Sequence, residues 1–233
     1  MKEGFIETRN YTKIFESFTR LEALPITAPK IGLGYGNFGL GKTFSLERIA
    51  AKKNAILLRA EPTWSKKKLL EKLCTELGLD ITGGGGRMYD RIVEDLRREK
   101  RIIIIDEIDI LIENDKNTLT ELLRAIHDET TSIFYFIGME GALGIFKRKR
   151  HYFSRIVELV EFKAIGVDDV KKFCEKCDVN IEDDLVGYFA ERYPNLRQIL
   201  VLLVRLEKEC LINDITSVSL ATFNEMGVEH ARK

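Results

Sequence analysis

The sequence predicts an α/β fold: a mostly parallel five-stranded sheet with helices on both faces, followed by a small α-helical domain. Three observations predict it. Short β-branched or aromatic runs alternate with amphipathic segments up to about residue 165. The run RIIIIDE (101–107) is apolar at four successive positions, as a strand buried on both faces must be. After Gly166 the strand signals stop and helical periodicity alone remains.

The elements follow in order. A helix is expected over about 11–21, with Thr8 or Asn10 as its N-cap. Pro25 and Pro29 mark an extended linker. KIGLGY (30–35) reads as a strand, and its two glycines suggest close approach of another backbone. A helix over 42–52 follows, then the strand NAILLRA (54–60). SKKKLLEKLCTELGL (65–79) is an amphipathic helix, with Leu69, Leu70, Leu73 and Leu77 on one face. Gly83 to Gly86 reads as a flexible break before a helix over 87–100. TLTELLRAIHDET (118–130) is helical, and SIFYFIGM (132–139) and RIVELVEF (155–162) are strands. Four helices are expected in the remainder, over about 168–176, 182–192, 196–210 and 218–226. The organisation is an N-terminal segment (1–28) packing near the ligand site, a core domain (29–165) and a helical lid (166–233).

Composition narrows the function classes. The chain has 233 residues, 45% hydrophobic and 32% charged, which suits a packed core with a charged surface. Lys and Arg number 37, as do Asp and Glu, so global charge does not advertise nucleic-acid binding and any such site must be a local patch. No apolar run approaches the roughly 20 residues that span a bilayer. The start, MKEGFIETRN, lacks the apolar core of a signal peptide. The four cysteines form no disulfide framework. No membrane association is expected, and the location is the cytoplasm of a bacterium or phage-infected host.

The stretch KIGLGYGNFGLGKT (30–43) overlays two phosphate-binding patterns. Gly34, Gly36 and Gly39 read as G-x-G-x-x-G, with Glu61 about 20 residues on, as a dinucleotide fold requires. That reading gives Lys42 and Thr43 no role. Gly36, Gly41, Lys42 and Thr43 read instead as the P-loop G-x-x-x-x-G-K-T. Backbone N–H groups of Gly36, Asn37, Phe38, Gly39, Leu40, Gly41, Lys42 and Thr43 would wrap a β-phosphate at a helix N-terminus, with Phe44 just beyond. Lys42 would reach the β- and γ-oxygens, and the Thr43 hydroxyl would ligate Mg²⁺. This pattern demands a second element, an apolar strand ending in an acid, and RIIIIDE supplies it. Asp106 would hold the Mg²⁺ shell and Glu107 would polarise the attacking water. The P-loop reading therefore prevails, Gly34 belongs to the strand, and ATP and Mg²⁺ are the expected cofactors.

GFIETRNYTKIFESF (4–18), GYGNFGLGKT (34–43) and RYPNLRQIL (192–200), with the Asp-Glu pair, resemble the AAA+ class. Within it they resemble the phage Mu transposition protein B and related transposon-encoded ATPases, and they also fit origin-recognition and helicase-loader ATPases. The resemblance covers about residues 4–222. It implies an ATPase that hydrolyses ATP to ADP and phosphate, binds duplex DNA without sequence preference, self-associates into a filament or ring, and recruits or activates a transposase at chosen targets. The alternative it implies is a helicase loader or origin-recognition-like ATPase acting mainly on a protein. By the same resemblance, Arg197 matches the lid arginine on the γ-phosphate, and Arg155 matches an arginine finger given to a neighbouring subunit, with Arg148 and Arg150 as rivals. A polar residue expected at the end of the fourth strand is missing, where Gly138 and Met139 stand, so slow turnover is expected. Mu protein B also carries an N-terminal DNA-binding module; this chain begins almost at the core, so neither that module nor sequence-specific reading is expected.

Other positions carry two readings each. Lys66, Lys67 and Lys68, the run KRKRH (147–151) and Arg87 could neutralise DNA phosphates or be solvated helix faces. Trp64 could stack on a base or anchor packing. Phe5, Thr8 and Tyr11 could cover the adenine or pack against the lid. Cys174 and Cys177 (CEKC) are better read as two cysteines on an amphipathic helix than as half a zinc site, since no second pair follows. His127, His151 and His230 form no ligand set.

Overall fold

The strands β1 (Ile31–Gly36), β2 (Ile56–Arg59), β3 (Ile102–Asp106), β4 (Ile133–Gly138) and β5 (Ile156–Phe162) form one sheet. Their order is β2-β3-β4-β1-β5, and every neighbouring pair is parallel. The computed structural model describes residues 2, 4–114 and 118–228. They fall into two compact units. One comprises Lys13–Asn37 and Lys42–Phe162; the other comprises the chain through Thr12, Phe38–Gly41 and the chain from Lys163 onward. Among the described residues, no helix is long and apolar enough to cross a membrane.

In the sheet unit, α1 (Arg9–Ala23, mostly in this unit), α2 (Lys42–Lys53), α3 (Lys66–Leu77), α4 (Gly85–Arg98), α5 (Asp109–Asn114), α6 (Thr118–Thr130), α7 (Ala142–Arg148) and α8 (Arg150–Phe153) accompany the strands. Every residue of β3 and β4 is buried, so both faces of the sheet are covered. The period-2 alternation of β4 sorts those faces. Tyr135 stacks on Phe18 of α1 at 4.2 Å and shares a 2.8 Å hydrogen bond with Ser17. Phe134 and Phe136 point the other way, where Phe136 stacks on Phe146 of α7 and Phe134 meets His127 of α6.

The glycines of β1 answer to this packing. A Cβ on Gly32 would stand 2.4 Å from the Tyr135 ring, and one on Gly34 would stand 2.6 Å from Ile137 Cδ1. The close approach expected here is thus real but comes from side chains of the neighbouring strand, not from another backbone. The tract Gly83–Gly86 also differs from expectation. Gly84 is the N-cap of α4 and the next two glycines form its first turn, so Arg87 is helical rather than part of a loose loop. The helices α5, α7 and α8 were not expected. They are four to seven residues long and too short to show a helical period.

The helical unit holds α9 (Val167–Cys174), α10 (Asp183–Arg192), α11 (Leu196–Ile212) and α12 (Leu220–Met226). Their inner faces meet around Val170, Leu185, Phe189, Leu203, Leu206 and Phe223. The expectation of helices alone is corrected by a two-stranded parallel ribbon, β6 (Asn180–Ile181) with β7 (Ser217–Val218). Two-residue strands carry no alternation, so the sequence gives no sign of them. The ribbon ties the starts of α10 and α12, through Asn180 N–H to Thr216 O and Glu182 N–H to Val218 O.

Candidate nucleotide site

β1 and β3 end at one edge of the sheet, and the chain leaves each of them through phosphate- or metal-binding residue types. Gly36 closes β1 with φ +155°, and a Cβ there would sit 2.5 Å from Phe162 O, so only glycine fits. Lys42 opens α2 and curls back: its Nζ donates to Gly36 O at 2.6 Å and to Asn37 O at 2.7 Å. Burial lowers the Lys42 pKa, and the carboxylates of Asp106 and Asp109 oppose that shift. The Thr43 hydroxyl donates to Asp106 Oδ2 at 3.2 Å. Asp106 is almost fully buried, and its Oδ1 accepts the Glu107 N–H at 2.9 Å. Glu107 itself sits in the left-handed region, with φ +57°. A non-glycine residue there carries strain of about 1–3 kcal/mol.

This donor set fits Mg²⁺. Both Thr43 Oγ1 and Asp106 Oδ2 are hard oxygens, and two adjacent octahedral ligands each about 2.1 Å from a magnesium ion lie about 3 Å apart. Their observed separation of 3.2 Å is within reach of that spacing. Phe38 within the loop and Phe44 just beyond it are both exposed.

Sequence reasoning missed two residues at this edge. Arg59 ends β2 in register with Asp106. Its Nη2 lies 3.7 Å from Asp106 Oδ2, and its Nε 3.7 Å from Glu107 Oε1. The signal is a strand register, which one sequence does not display. Asp109 was legible as the third acid of D-E-x-D. Its Oδ2 accepts the Met139 N–H at 2.6 Å. This also explains the missing polar residue at the end of β4. A Cβ on Gly138 would stand 2.8 Å from Asp109 Oδ2 and 2.7 Å from Ala142 Cβ, so no side chain fits. The carboxylate at this place comes from α5 instead.

The helical unit includes the loop tip Phe38–Gly41. Asn195 caps α11 by accepting the Arg197 N–H at 2.9 Å, and its Nδ2 donates to Phe38 O at 3.1 Å. The Arg197 N–H also reaches Gly39 O at 3.3 Å. Asn10, another residue that sequence reasoning left out of the site, donates from Nδ2 to Leu40 O at 3.4 Å and to Lys163 O at 2.8 Å. Thr8 is the N-cap of α1: its hydroxyl accepts the Tyr11 N–H at 3.2 Å. Thr8 and Tyr11 are buried, and the Tyr11 ring meets Phe5 edge-on at 4.7 Å.

Gly39 has φ +71°, and a Cβ there would lie 2.1 Å from Asn195 Oδ1. Gly39→Ala should therefore cost roughly 1–2 kcal/mol from the backbone alone and displace Asn195 as well. Thermal melts and nucleotide titrations of Gly39→Ala, alone and combined with Asn195→Ala, check this. The second substitution should relieve the collision but not the backbone strain, giving less than additive losses.

Other expected residues fall in different places. The Cys74 sulfur lies 3.9 Å from Met88 O, and Leu70 lies 3.6 Å from where a Gly85 Cβ would be, so α3 and α4 run in one direction and begin at one end. That end follows β2, and so lies at the sheet edge where β1 and β3 finish. Lys66, Lys67, Lys68 and Arg87 are all exposed there. Trp64 is buried in the core. Arg155 is not brought near the P-loop. Phe162, at the far end of β5, pairs with Gly36, and the seven residue steps back from it place Arg155 about 23 Å away along the strand. There Arg155 Nε donates to Asp128 Oδ1 at 2.9 Å. Burial pushes the thiols of Cys174 and Cys177 up to about 12, which suits inert core cysteines. Among the described residues no His, Cys, Asp and Glu group could hold a metal through three such side chains; His230 lies outside them.

Known proteins bear out the outline. A family model described as AAA domain matches residues 26–146, slightly more than half the chain. A Staphylococcus aureus protein described as a potential ATP-binding protein is 28% identical over 204 residues, covering 74% of this chain and 72% of its own. The ORC2 protein of Aeropyrum pernix, solved as ADPNP–ADP complexes, has a similar fold at TM-score 0.72 and 18% identity, over 97% of this chain and 70% of that one. Aeropyrum pernix ORC1, solved in complex with DNA, matches at TM-score 0.58 and 18% identity, and this chain, 97% covered, spans 66% of that protein's length. From the P-loop and the Asp106–Glu107 strand end to the family match, the findings agree: the chain belongs to the AAA domain family and is a nucleotide-binding protein of the AAA+ ATPase type.

Proposed function

We propose that this chain is an ATP-dependent ATPase that binds duplex DNA without sequence preference and self-associates on it. The observation that carries the reading is the 3.2 Å pairing of Thr43 with Asp106, with Glu107 beside it, on the same sheet edge as four exposed cations. Lys42 and the loop N–H groups bind the phosphates, Thr43 and Asp106 hold Mg²⁺, and Glu107 takes a proton from the attacking water. A Mg²⁺ ion held by Thr43 and Asp106 would supply charge neutralisation to the phosphates. Arg197 serves the γ-phosphate, as the resemblance to AAA+ lids implies.

The basic end of α3 supports a phosphate ligand. Three lysines in a first helical turn oppose the macrodipole, which favours anions there, and the turn contains no acid. Glu71 offsets them only in part, at 3.7 Å from Lys67 and 3.5 Å from Lys68. DNA retention measured with ATP, with ADP and without nucleotide, over a salt series, tests the reading. ATP-dependent, salt-sensitive and sequence-indifferent binding is expected, and replacing Lys66, Lys67 and Lys68 by alanine should flatten the salt slope by about 3. Absence of binding in every nucleotide state would sink it.

Arg155 lies too far from its own P-loop to act there, which favours a role in trans. Arg155→Ala should keep ATP affinity and lose DNA-stimulated hydrolysis by roughly 10³-fold or more. Persistent hydrolysis would pass the role to Arg148 or Arg150. The job we infer on DNA is regulation of transposition through a transposase, supported by the residues shared with that family. A protein-directed loader or origin-recognition-like role is the second reading, favoured by the fold likeness to the two ORC proteins. Strand-transfer assays with and without this protein separate the two.

A further inference from the structure

Helix α11 is apolar on two sides. Its inner side, with Ile199, Leu203, Leu206 and Cys210, fills the core of the helical unit. Its outer side also carries aliphatics: Val201, Val204, Leu211 and Ile212 are 47%, 56%, 80% and 64% exposed. At 100° per residue these four positions lie on one stripe, and so do Arg205 and Lys208. The stripe is about 16 Å long from Val201 to Ile212. At its N-terminal end it borders a cleft of about 440 Å³ whose walls include Arg192, Arg197 and Arg205.

Among the described residues the cations of this stripe, like Lys66 and Arg87, pair with no acid. Lys171 pairs with Asp183 and Arg155 with Asp128, but among the described residues neither Arg205 nor Lys208 meets a carboxylate. Of the acids of α11, Glu207 is turned aside to accept the Asp178 N–H at 2.7 Å, and Glu209 stands at the border of the stripe. A helix that is apolar all round is ordinarily covered on every side. Adjacent exposed aliphatics of this kind mark interaction surfaces.

We infer that the outer face of α11 docks an amphipathic helix of a partner protein. That helix presents aliphatic residues at i, i+3 or i+4, and i+7, flanked by Asp or Glu that pair with Arg205 and Lys208. DNA is a poorer occupant, because four aliphatics contribute nothing to phosphate contacts. A membrane surface is poorer too, because the cations stand within the apolar stripe and burial of the aliphatics would carry them into the acyl layer. The docking face uses none of the P-loop residues and goes beyond the ATPase reading.

Two 18-residue helical peptides test it against the full chain by fluorescence anisotropy. Both carry leucines at that spacing; one has Glu beside them and the other Lys. Saturable, salt-weakened binding of the Glu peptide is expected, at least tenfold tighter than the Lys peptide. Arg205→Glu with Lys208→Glu should weaken it at least tenfold, as should Val201→Ser with Val204→Ser. Both variants should keep wild-type nucleotide affinity and thermal melting, since every altered side chain is exposed. Equal binding of the two peptides, or binding indifferent to both variants, overturns the inference. So does a finding that the charge-reversed variant loses instead its affinity for phosphatidylserine vesicles, its DNA retention or its self-association.

Discussion

Replacing Lys42 by alanine should leave the fold in place and remove nucleotide binding. Lys42 is tethered to the P-loop itself, through the carbonyls of Gly36 and Asn37. Those carbonyls already anchor its ammonium where phosphate oxygens would arrive. Burial depresses its pKa, while Asp106 and Asp109 hold the charge in place. Hydrogen bonds to charged groups are worth about 1.5–3 kcal/mol each, so losing contacts to two phosphates should weaken ATP about 10²- to 10⁴-fold. Calorimetric titration of ATP measures the loss, and a thermal melt close to wild type shows that the fold survives. The direction of the shift also sets a pH signature. The free protein's ammonium deprotonates at lower pH than an ordinary lysine, and bound phosphate favours the charged form. ATP affinity should therefore start to fall at a lower pH than an unperturbed lysine would give. An Lys42→Ala affinity within threefold of wild type would remove Lys42 from the phosphate site.

The parts of this molecule that were legible beforehand are those in which one local pattern has one physical meaning. The run Ile102–Asp106 could only be a doubly buried strand, and it is buried at every residue. The spacing of Gly36, Lys42 and Thr43 could only be reconciled with one loop type, and the structure places Thr43 against Asp106, sixty-three residues away in the chain. What stayed hidden depends on register or on long-range fit. Arg59 lies beside Asp106 because β2 and β3 align as they do. Gly138 is glycine because α5 and α7 close over it. Asn195 caps α11, and its amide also holds Phe38 O, a contact across 157 residues that no local pattern displays. Gly84 and its successors looked like a hinge because glycine disfavours helices, yet the apolar face of Met88, Ile92 and Leu96 pulls them into the first turn of α4.

Glu107→Gln should leave ATP affinity within a few-fold and lower hydrolysis by about 100-fold or more, the usual contribution of a positioned general base. The amide keeps the shape of the carboxylate and its strained backbone but cannot take a proton. Arg59 makes the comparison sharper. Its guanidinium sits 3.7 Å from Glu107 Oε1, and both side chains are more than half exposed, so the pair is worth well under 1 kcal/mol. Arg59→Ala should then change basal hydrolysis by no more than about two- to threefold, against the hundredfold fall from Glu107→Gln. The two changes together should fall about as far as Glu107→Gln alone, because the Arg59 pairings with Asp106 and Glu107 are weak beside the loss of the base. Single-turnover hydrolysis at saturating ATP separates the cases. If Glu107→Gln retained its activity, proton transfer would pass to Asp109, which acts on the Lys42 charge together with Asp106, and Asp109→Asn would then carry the hundredfold loss.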